Sequence, residues 1–328
     1  MVTAPYVLVG YDGLREGERA LRWAVDEARR RRGGLLVCHV WQWPYPDLKA
    51  EPEVLDALRD TARQALDRGV EIARELAPRT EVEGRLLEGP VAVELLRESL
   101  WAALVVVGAN GHDDPPLGGT ALRMAARAHR PVIVVREAPA GDGRVVVGFD
   151  GSAAGTAALE FGFEEAALQG WRVHVVHGNG AAATVEELAE DRAGGLPGDF
   201  AEEPAGKVAG VLAGELAAEL AQRNVLGHVG VIEAVEHCRE RHPTVAVRTT
   251  LLDEPPRRFL PRTAEGAQLL VLGDRTPGGA PPRRIGSTSQ AMLQALPCPV
   301  ALVPAARWTP ADVGGHGPPH PGEAFSPG

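Results

Sequence analysis

The sequence predicts an α/β protein with two open, parallel-rich five-stranded sheets. Three observations lead there: the chain repeats itself, each copy alternates strand and helix patterns, and the strand runs are apolar throughout. VLVGYDG at 7–13 returns as VVVGFDG at 145–151, 138 residues later (145 − 7). ALVVVGAN at 103–110 matches QLLVLGDR at 268–275, and RPVIVV at 130–135 matches CPVALV at 298–303. Three landmarks in one order identify a duplicated domain. Strands apolar on both faces need helices on both sides, so the sheets should be parallel with right-handed crossovers.

In the first copy, 6–10 is a short apolar strand. Residues 15–32 place Ala20, Leu21, Ala24, Val25 and Ala28 on one helical face, and Gly33-Gly34 is expected to stop that helix. The second strand is 35–41. A helical stripe runs from Val54 to Leu76 through Leu58, Ala62 and Leu66. Then follow strand 82–87, helix 91–100, strand 104–108, helix 121–128 and strand 132–136. The second copy repeats this with strands near 144–148, 171–177, 244–251, 268–273 and 299–303. Its helices are expected near 153–169, 205–223, 230–241, 257–265 and 287–296.

The second copy gains 27 residues between its second and third strands (165 − 138, from the landmark offsets). Residues 190–206 there are rich in Gly, Pro, Asp and Glu and read as a loop. Residues 305–328 have no apolar periodicity and are expected to be a disordered tail. The domains are thus 1–137 and 142–304, the second carrying an expansion within 178–243.

The chain has 328 residues, 45% apolar and 5% aromatic, with a formal charge of -10. The charge disfavours nucleic acid or an anionic membrane as the main partner. Cys38, Cys238 and Cys298 have no close-spaced ligand pattern and read as reduced thiols. The opening residues lack a signal-like stretch, and no apolar run reaches bilayer length, so a cytoplasmic location is expected. Arg29 to Arg32 fall at a helix end, where positive charge complements the dipole.

Ligands of open parallel sheets sit beyond the carboxyl ends of the strands, where strand order reverses. The loops at 10–14, 148–152 and 273–287 leave strands at that end. Gly286-Ser287-Thr288-Ser289 precedes an apolar helix, a pattern suited to anion binding by converging N–H groups. Ser287 can cap the helix or donate to a phosphate, and both readings stay open. Neither the lysine-containing phosphate loop nor the GxGxxG fingerprint is present. Asp12 and Asp150 close their first strands at equivalent positions. Each is either a ligand for an amino group or ribose hydroxyl, or a turn residue satisfying its own backbone. His237, Cys238 and His242 are poorly arranged for a metal. His39 and His174 lie in strands and read as packed or hydrogen-bonded. No nucleophile–base–carboxylate set stands out.

The opening VLVGYDG with its helix, the VVVG–loop–helix segment and the closing CPV strand resemble the universal stress protein family in tandem form. The resemblance covers nearly all of 5–137 and 142–304. It implies Rossmann-like domains paired through their last strands, here 132–135 and 300–303, and a regulatory stress-response role. A homodimer or another protein partner is compatible with it. It also implies an ATP site, with Mg2+ accompanying ATP. The family's loop is glycine, two residues, glycine, nine residues, glycine, then serine or threonine.

In the second copy this pattern maps onto Gly273, Thr276, Gly286 and Ser287, followed by Thr288; Thr276 replaces the second glycine. Arg283 and Arg284 within that loop either reach phosphates or solubilise a flap. In the first copy the loop starts with Gly108 and Gly111, is shorter, and ends in Gly119-Thr120; His112, Asp113 and Asp114 make it acidic. By resemblance Asp12 and Asp150 contact the adenosine part, with Gly151 and Ser152 beside Asp150. Backbone at Val40–Trp41 and Val176–His177 would read the adenine edge. The second domain is expected to hold the better site. Binding rather than dedicated catalysis is expected, with slow ATP hydrolysis at most. The alternative is a scaffold protein whose phosphate loops have degenerated, with the expansion as partner surface.

Overall fold

The structure is a computed structural model; the residues described are 6–43, 51–109, 119–137, 141–178, 229–252, 254–274, 285–295 and 297–305. The expected loop 190–206, helix 205–223 and tail from 306 onward lie outside them. Contacts divide the chain into two compact units. The first is Met1–Ala138 with Thr276–Ile285 and Pro299–Gly328; the second is Pro139–Arg275 with Gly286–Cys298.

In the first unit the chain runs β1 (Tyr6–Gly10), α1 (Arg15–Arg31), β2 (Leu35–Trp41), α2 (Pro52–Leu76), β3 (Val82–Glu88), α3 (Val91–Ser99), β4 (Ala102–Gly108), α4 (Gly119–Arg127) and β5 (Val132–Val135). The strand order is β3-β2-β1-β4-β5, every neighbour parallel. Chain order therefore reverses between β1 and β4. Helices α1 and α2 pack over β1–β4, and α3 and α4 pack together. Val7, Leu8 and Val9 are fully buried, as are Leu104, Val105 and Val106. Two-sided burial explains why these runs lack a polar alternation.

The second unit begins with β6 (Arg144–Gly148), α5 (Ala153–Gln169) and β7 (Arg172–Gly178). It resumes at α6 (residues 229–241), β8 (Val247–Leu252), α7 (Pro256–Ala264), β9 (Leu269–Asp274) and α8 (Ser287–Ala295). The order β8-β7-β6-β9 is again parallel. Helix α6 matches the end of α2: Leu66, Val70 and Ala73 are buried there, and Val231, Val235 and Cys238 here. The last strand, β10 (Val300–Pro304), pairs antiparallel with β5. The pairing centres on Ile133 opposite Ala301, with Val132 opposite Leu302 and Val134 opposite Val300. The repeats' last strands thus meet as the resemblance implied.

Most boundaries fall within two residues of expectation, and three have a clear physical reading. The α1 stop falls on Arg32, which takes the left-handed conformation (φ 53°), while Gly33 N–H closes onto Ala28 O at 3.0 Å. The glycine supplies the closing N–H rather than the turn. Residues 243–245 form a turn, so β8 starts at Val247, three residues later than its pattern suggested. Strand β4 starts at Ala102, earlier than expected. The basic run at the α1 end pairs along the helix: Arg29 with Asp26 at 2.7 Å, and Arg31 with buried Glu27.

Two glycines set how closely helices approach the sheet. A Cβ on Gly273 would lie 2.4 Å from the Ala154 carbonyl carbon of α5. On Gly108 it would lie 3.1 Å from the Glu16 carbonyl carbon of α1. At Gly119 a Cβ would meet nothing within 4 Å. Gly273→Ala should therefore cost about 1–3 kcal/mol through overpacking, whereas Gly119→Ala should stay within about 0.5 kcal/mol. Urea denaturation of both variants checks this; equal midpoints would contradict the packing account.

His174, in β7, hydrogen-bonds through Nε2 to Thr250 Oγ1 at 2.9 Å. Burial, with the nearby Arg248 and Arg144 charges, pushes its pKa down to about 4. The unfolded chain, near 6.5, binds the proton more readily. Stability from the neutral imidazole is thus intact above about 6.5 and is lost as pH falls toward 4. His174→Gln should flatten this part of the acid limb in a pH series of denaturation midpoints. An unchanged slope would assign the loss to other groups.

Candidate functional site

The carboxyl ends of β1, β2 and β4 carry or directly precede Asp12, Val40 and Gly108, and those of β6, β7 and β9 carry or directly precede Asp150, Gly178 and Gly273. After β1, Asp12 Oδ1 accepts the Leu14 N–H at 2.9 Å. After β6, Asp150 Oδ1 accepts the Ser152 N–H at 2.9 Å and its hydroxyl at 2.5 Å. Both are Asx turns, which use one carboxylate oxygen to shape the chain. The intervening glycines take positive φ, 78° at Gly13 and 76° at Gly151. That backbone region disfavours any side chain with a Cβ. Both aspartates remain exposed.

A second glycine completes each turn. A Cβ on Gly17 would lie 2.2 Å from Asp12 Oδ1, and on Gly155 2.6 Å from Asp150 Oδ1. The carboxylate therefore lies directly against the first turn of α1 or α5, where the helix dipole favours negative charge. The motif is Asp-Gly-x-x-x-Gly in both copies, 12–17 and 150–155. Sequence reasoning passed over Gly17 and Gly155, although their shared spacing was there to be found. The helix starts differ: Ser152 Oγ accepts the Gly155 N–H at 3.0 Å, whereas Leu14 provides no side-chain cap.

At the end of the second strands, the hydrogen-bond ladder continues one residue past β1 and β6. Tyr11 N–H donates to Cys38 O at 2.8 Å, and Phe149 N–H to Val176 O at 3.0 Å. His39 Nδ1 then contacts Tyr11 O at 2.8 Å, and His177 Nδ1 contacts Phe149 O at 2.8 Å. Burial lowers the His39 pKa and favours the neutral ring. On the other side, Trp41 O accepts the Gly89 N–H at 3.0 Å. Successive main-chain groups of a strand face opposite neighbours. Val40 therefore faces the gap left where β1 turns away.

The position equivalent to Val40 is Gly178. Val176 is 1% exposed, pairs with Gly148, and corresponds to Cys38. Its carbonyl is already taken by Phe149, so Val176 belongs to the sheet interior. A Cβ at Gly178 would lie 2.2 Å from the Phe259 ring of α7. Trp41, in the first unit, is covered by the Arg59 guanidinium at 5.2 Å from its ring centre.

Gly108 and Gly273 end β4 and β9. Their close contacts with α1 and α5 give both glycines a packing role. Gly111 and Thr276 lie outside the described residues. Gly119 and Thr120 open α4, and Ser287 and Thr288 open α8. Gln290 N–H donates to Gly286 O at 2.9 Å, placing Gly286 at the cap and Ser287 in the first helical position. Ser287 is exposed.

The arrangement offers carboxylate acceptors, main-chain edges and helix N-termini. It suits recognition more than covalent chemistry. Burial pushes the thiols up, Cys238 to about 11 and Cys298 to about 12, and Cys38 well above its usual value. None is a ready thiolate nucleophile. His242 packs its ring 6.1 Å from that of Phe163. Among the described residues no helix is long and apolar enough to cross a membrane.

The model of the universal stress protein family matches this chain twice, at residues 6–136 and 143–304. A universal stress protein of Mycolicibacterium smegmatis is 28% identical over 312 residues, covering 90% of this chain and 96% of the relative. One from Mycobacterium tuberculosis is 29% identical over 317 residues, with the same coverage. The crystal structure of a universal stress protein from Archaeoglobus fulgidus matches with a TM-score of 0.61 at 16% identity, covering 92% of this chain and 97% of that one. A structure from Pseudomonas aeruginosa, described as a putative universal stress protein, gives 0.56 at 15% identity, covering 92% and 94%. These structures share the fold. With the doubled α/β architecture and the family match across both repeats, this chain belongs to the universal stress protein family.

Proposed function

We propose that this universal stress protein binds an adenine nucleotide, ATP, as a regulatory ligand in the stress response, with the second unit as its better site. One observation carries the reading. Asp150, the main chain at Gly178 and the β9–α8 connection all leave the carboxyl ends of three neighbouring strands, β6, β7 and β9. Neighbouring strands are about 4.8 Å apart, so the three ends span roughly 10 Å, the scale of a nucleoside. Chain order reverses between β6 and β9, where open sheets leave a crevice for ligands. In this reading Asp150 takes ribose hydroxyls and Gly178 presents its main chain to the base. Gly286, Ser287 and Thr288 place helix N–H groups toward phosphate. Mg2+ arrives with the triphosphate, whose oxygens are its natural ligands. Asp12, Val40, Gly119 and Thr120 form the corresponding set in the first unit.

A scaffold role without nucleotide is the second reading. Thr276 stands where the family's loop has glycine, and Phe259 crowds Gly178.

Titration of the purified chain with ATP and ADP, with and without Mg2+, separates the two. Saturable binding is expected, weakened about tenfold or more by Asp150→Ala, which removes a charged hydrogen-bond partner, and by Gly286→Val. Absence of binding below millimolar ATP would favour the scaffold. If strain at Thr276 limits affinity, Thr276→Gly should tighten binding; equal affinity would reject that cause.

A further inference from the structure

We propose that His39 and His177 are positioning residues of the two sites. Each imidazole replaces the last main-chain rung between the first and second strands of its repeat. It thereby fixes the carbonyl before the aspartate and turns the next residue's main-chain edge toward the ligand. The ligand part of this inference rests on the nucleotide reading above; the hydrogen-bond part does not.

The register of the parallel ladder identifies the missing rung. With Tyr11 N–H on Cys38 O, the next bond in sequence would run from Val40 N–H to Tyr11 O. With Phe149 N–H on Val176 O, it would run from Gly178 N–H to Phe149 O. In both repeats the imidazole takes that carbonyl instead, at 2.8 Å. A carbonyl oxygen has no proton to give, so Nδ1 carries the hydrogen and the tautomer is determined. Closing the ladder with a side chain lets the first strand leave the sheet one residue early. It enters the Asx turn at Asp12 or Asp150 with the preceding carbonyl still anchored. The main chain of Val40 or Gly178 then faces the opened gap.

The residues around this bond differ between repeats: Tyr11 against Phe149, Cys38 against Val176, Val40 against Gly178. The histidine and its acceptor are the same. A packing role alone would tolerate other side chains of similar size. A donor at this one point is met by histidine Nδ1, and also by the amide nitrogen of asparagine, which occupies nearly the same place relative to Cα. That equivalence supplies the test.

The experiment uses the full-length chain, with leucine and asparagine substituted at each histidine. Long-range 1H–15N correlation on the imidazole rings of the unsubstituted protein should give the Nδ1–H form at both positions. Amide hydrogen exchange at Val40 and Gly178 should be fast in the unsubstituted protein. It should slow in His39→Leu and His177→Leu, as the main-chain rung re-forms. ATP titrations, run where denaturation shows every variant folded, should weaken about tenfold in the leucine variant of an occupied site, the effect of one hydrogen bond. Asparagine should restore affinity to within about threefold. An Nε2–H form at either ring, unchanged exchange, or asparagine as weak as leucine would overturn the positioning role. If the unsubstituted chain binds no ATP, the nucleotide reading fails, and the tautomer and exchange results still decide the hydrogen-bond claim.

Discussion

The contact on which the strand end, turn and helix of each repeat depend is that of an aspartate carboxylate with the backbone starting the next helix. Asp12 and Asp150 leave the sheet at a glycine of positive φ and lie against Gly17 and Gly155. A methyl group at either glycine would force the carboxylate away. This contact fixes how α1 and α5 start. The same helices rest on Gly108 and Gly273 at the ends of β4 and β9, with almost no clearance at Gly273. Turn, helix and strand end are therefore mechanically linked. A ligand held by the aspartate would be referenced to the sheet through contacts too close to slide.

The two repeats share this framework and differ in what surrounds it. Ser152 joins the Asp150 turn and caps α5; Leu14 does neither in the first unit. At the end of the second strand the first unit has Val40 and Trp41, the latter faced by Arg59. The second has Gly178, with Phe259 seated against it. Duplication has preserved the groups that shape the main chain: Asp-Gly-x-x-x-Gly, the histidine that closes the ladder, and the glycine ending the fourth strand. The groups that would choose a ligand have diverged.

The pairing of β5 with β10 has its own physical origin. VIVV and VALV are short and wholly buried, and each needs a partner along its open edge. Antiparallel pairing about Ile133 and Ala301 supplies one without another chain.

The amino-acid sequence by itself determined the duplication, the alternation of strands and helices, and most element boundaries to within a residue or two. These follow from short-range periodicity and from burial on both faces of each strand. It also singled out Asp12, Asp150 and the Gly286–Thr288 helix start, because turn and cap chemistry is local. Tertiary structure alone decided the rest. The backbone at Val176–His177 was expected to face a base, yet Phe149 N–H already takes the Val176 carbonyl and the register makes Gly178 the counterpart of Val40. His39 read as packed or hydrogen-bonded with no partner named, and His177 only as part of a backbone edge, until the ladder placed their acceptors 28 positions away. Gly108 and Gly273 suggested an anion loop, whereas contact with α1 and α5 gave them a packing role. Each of these depends on which main-chain atoms meet across strands and helices distant in sequence. Local pattern carries no information on such meetings.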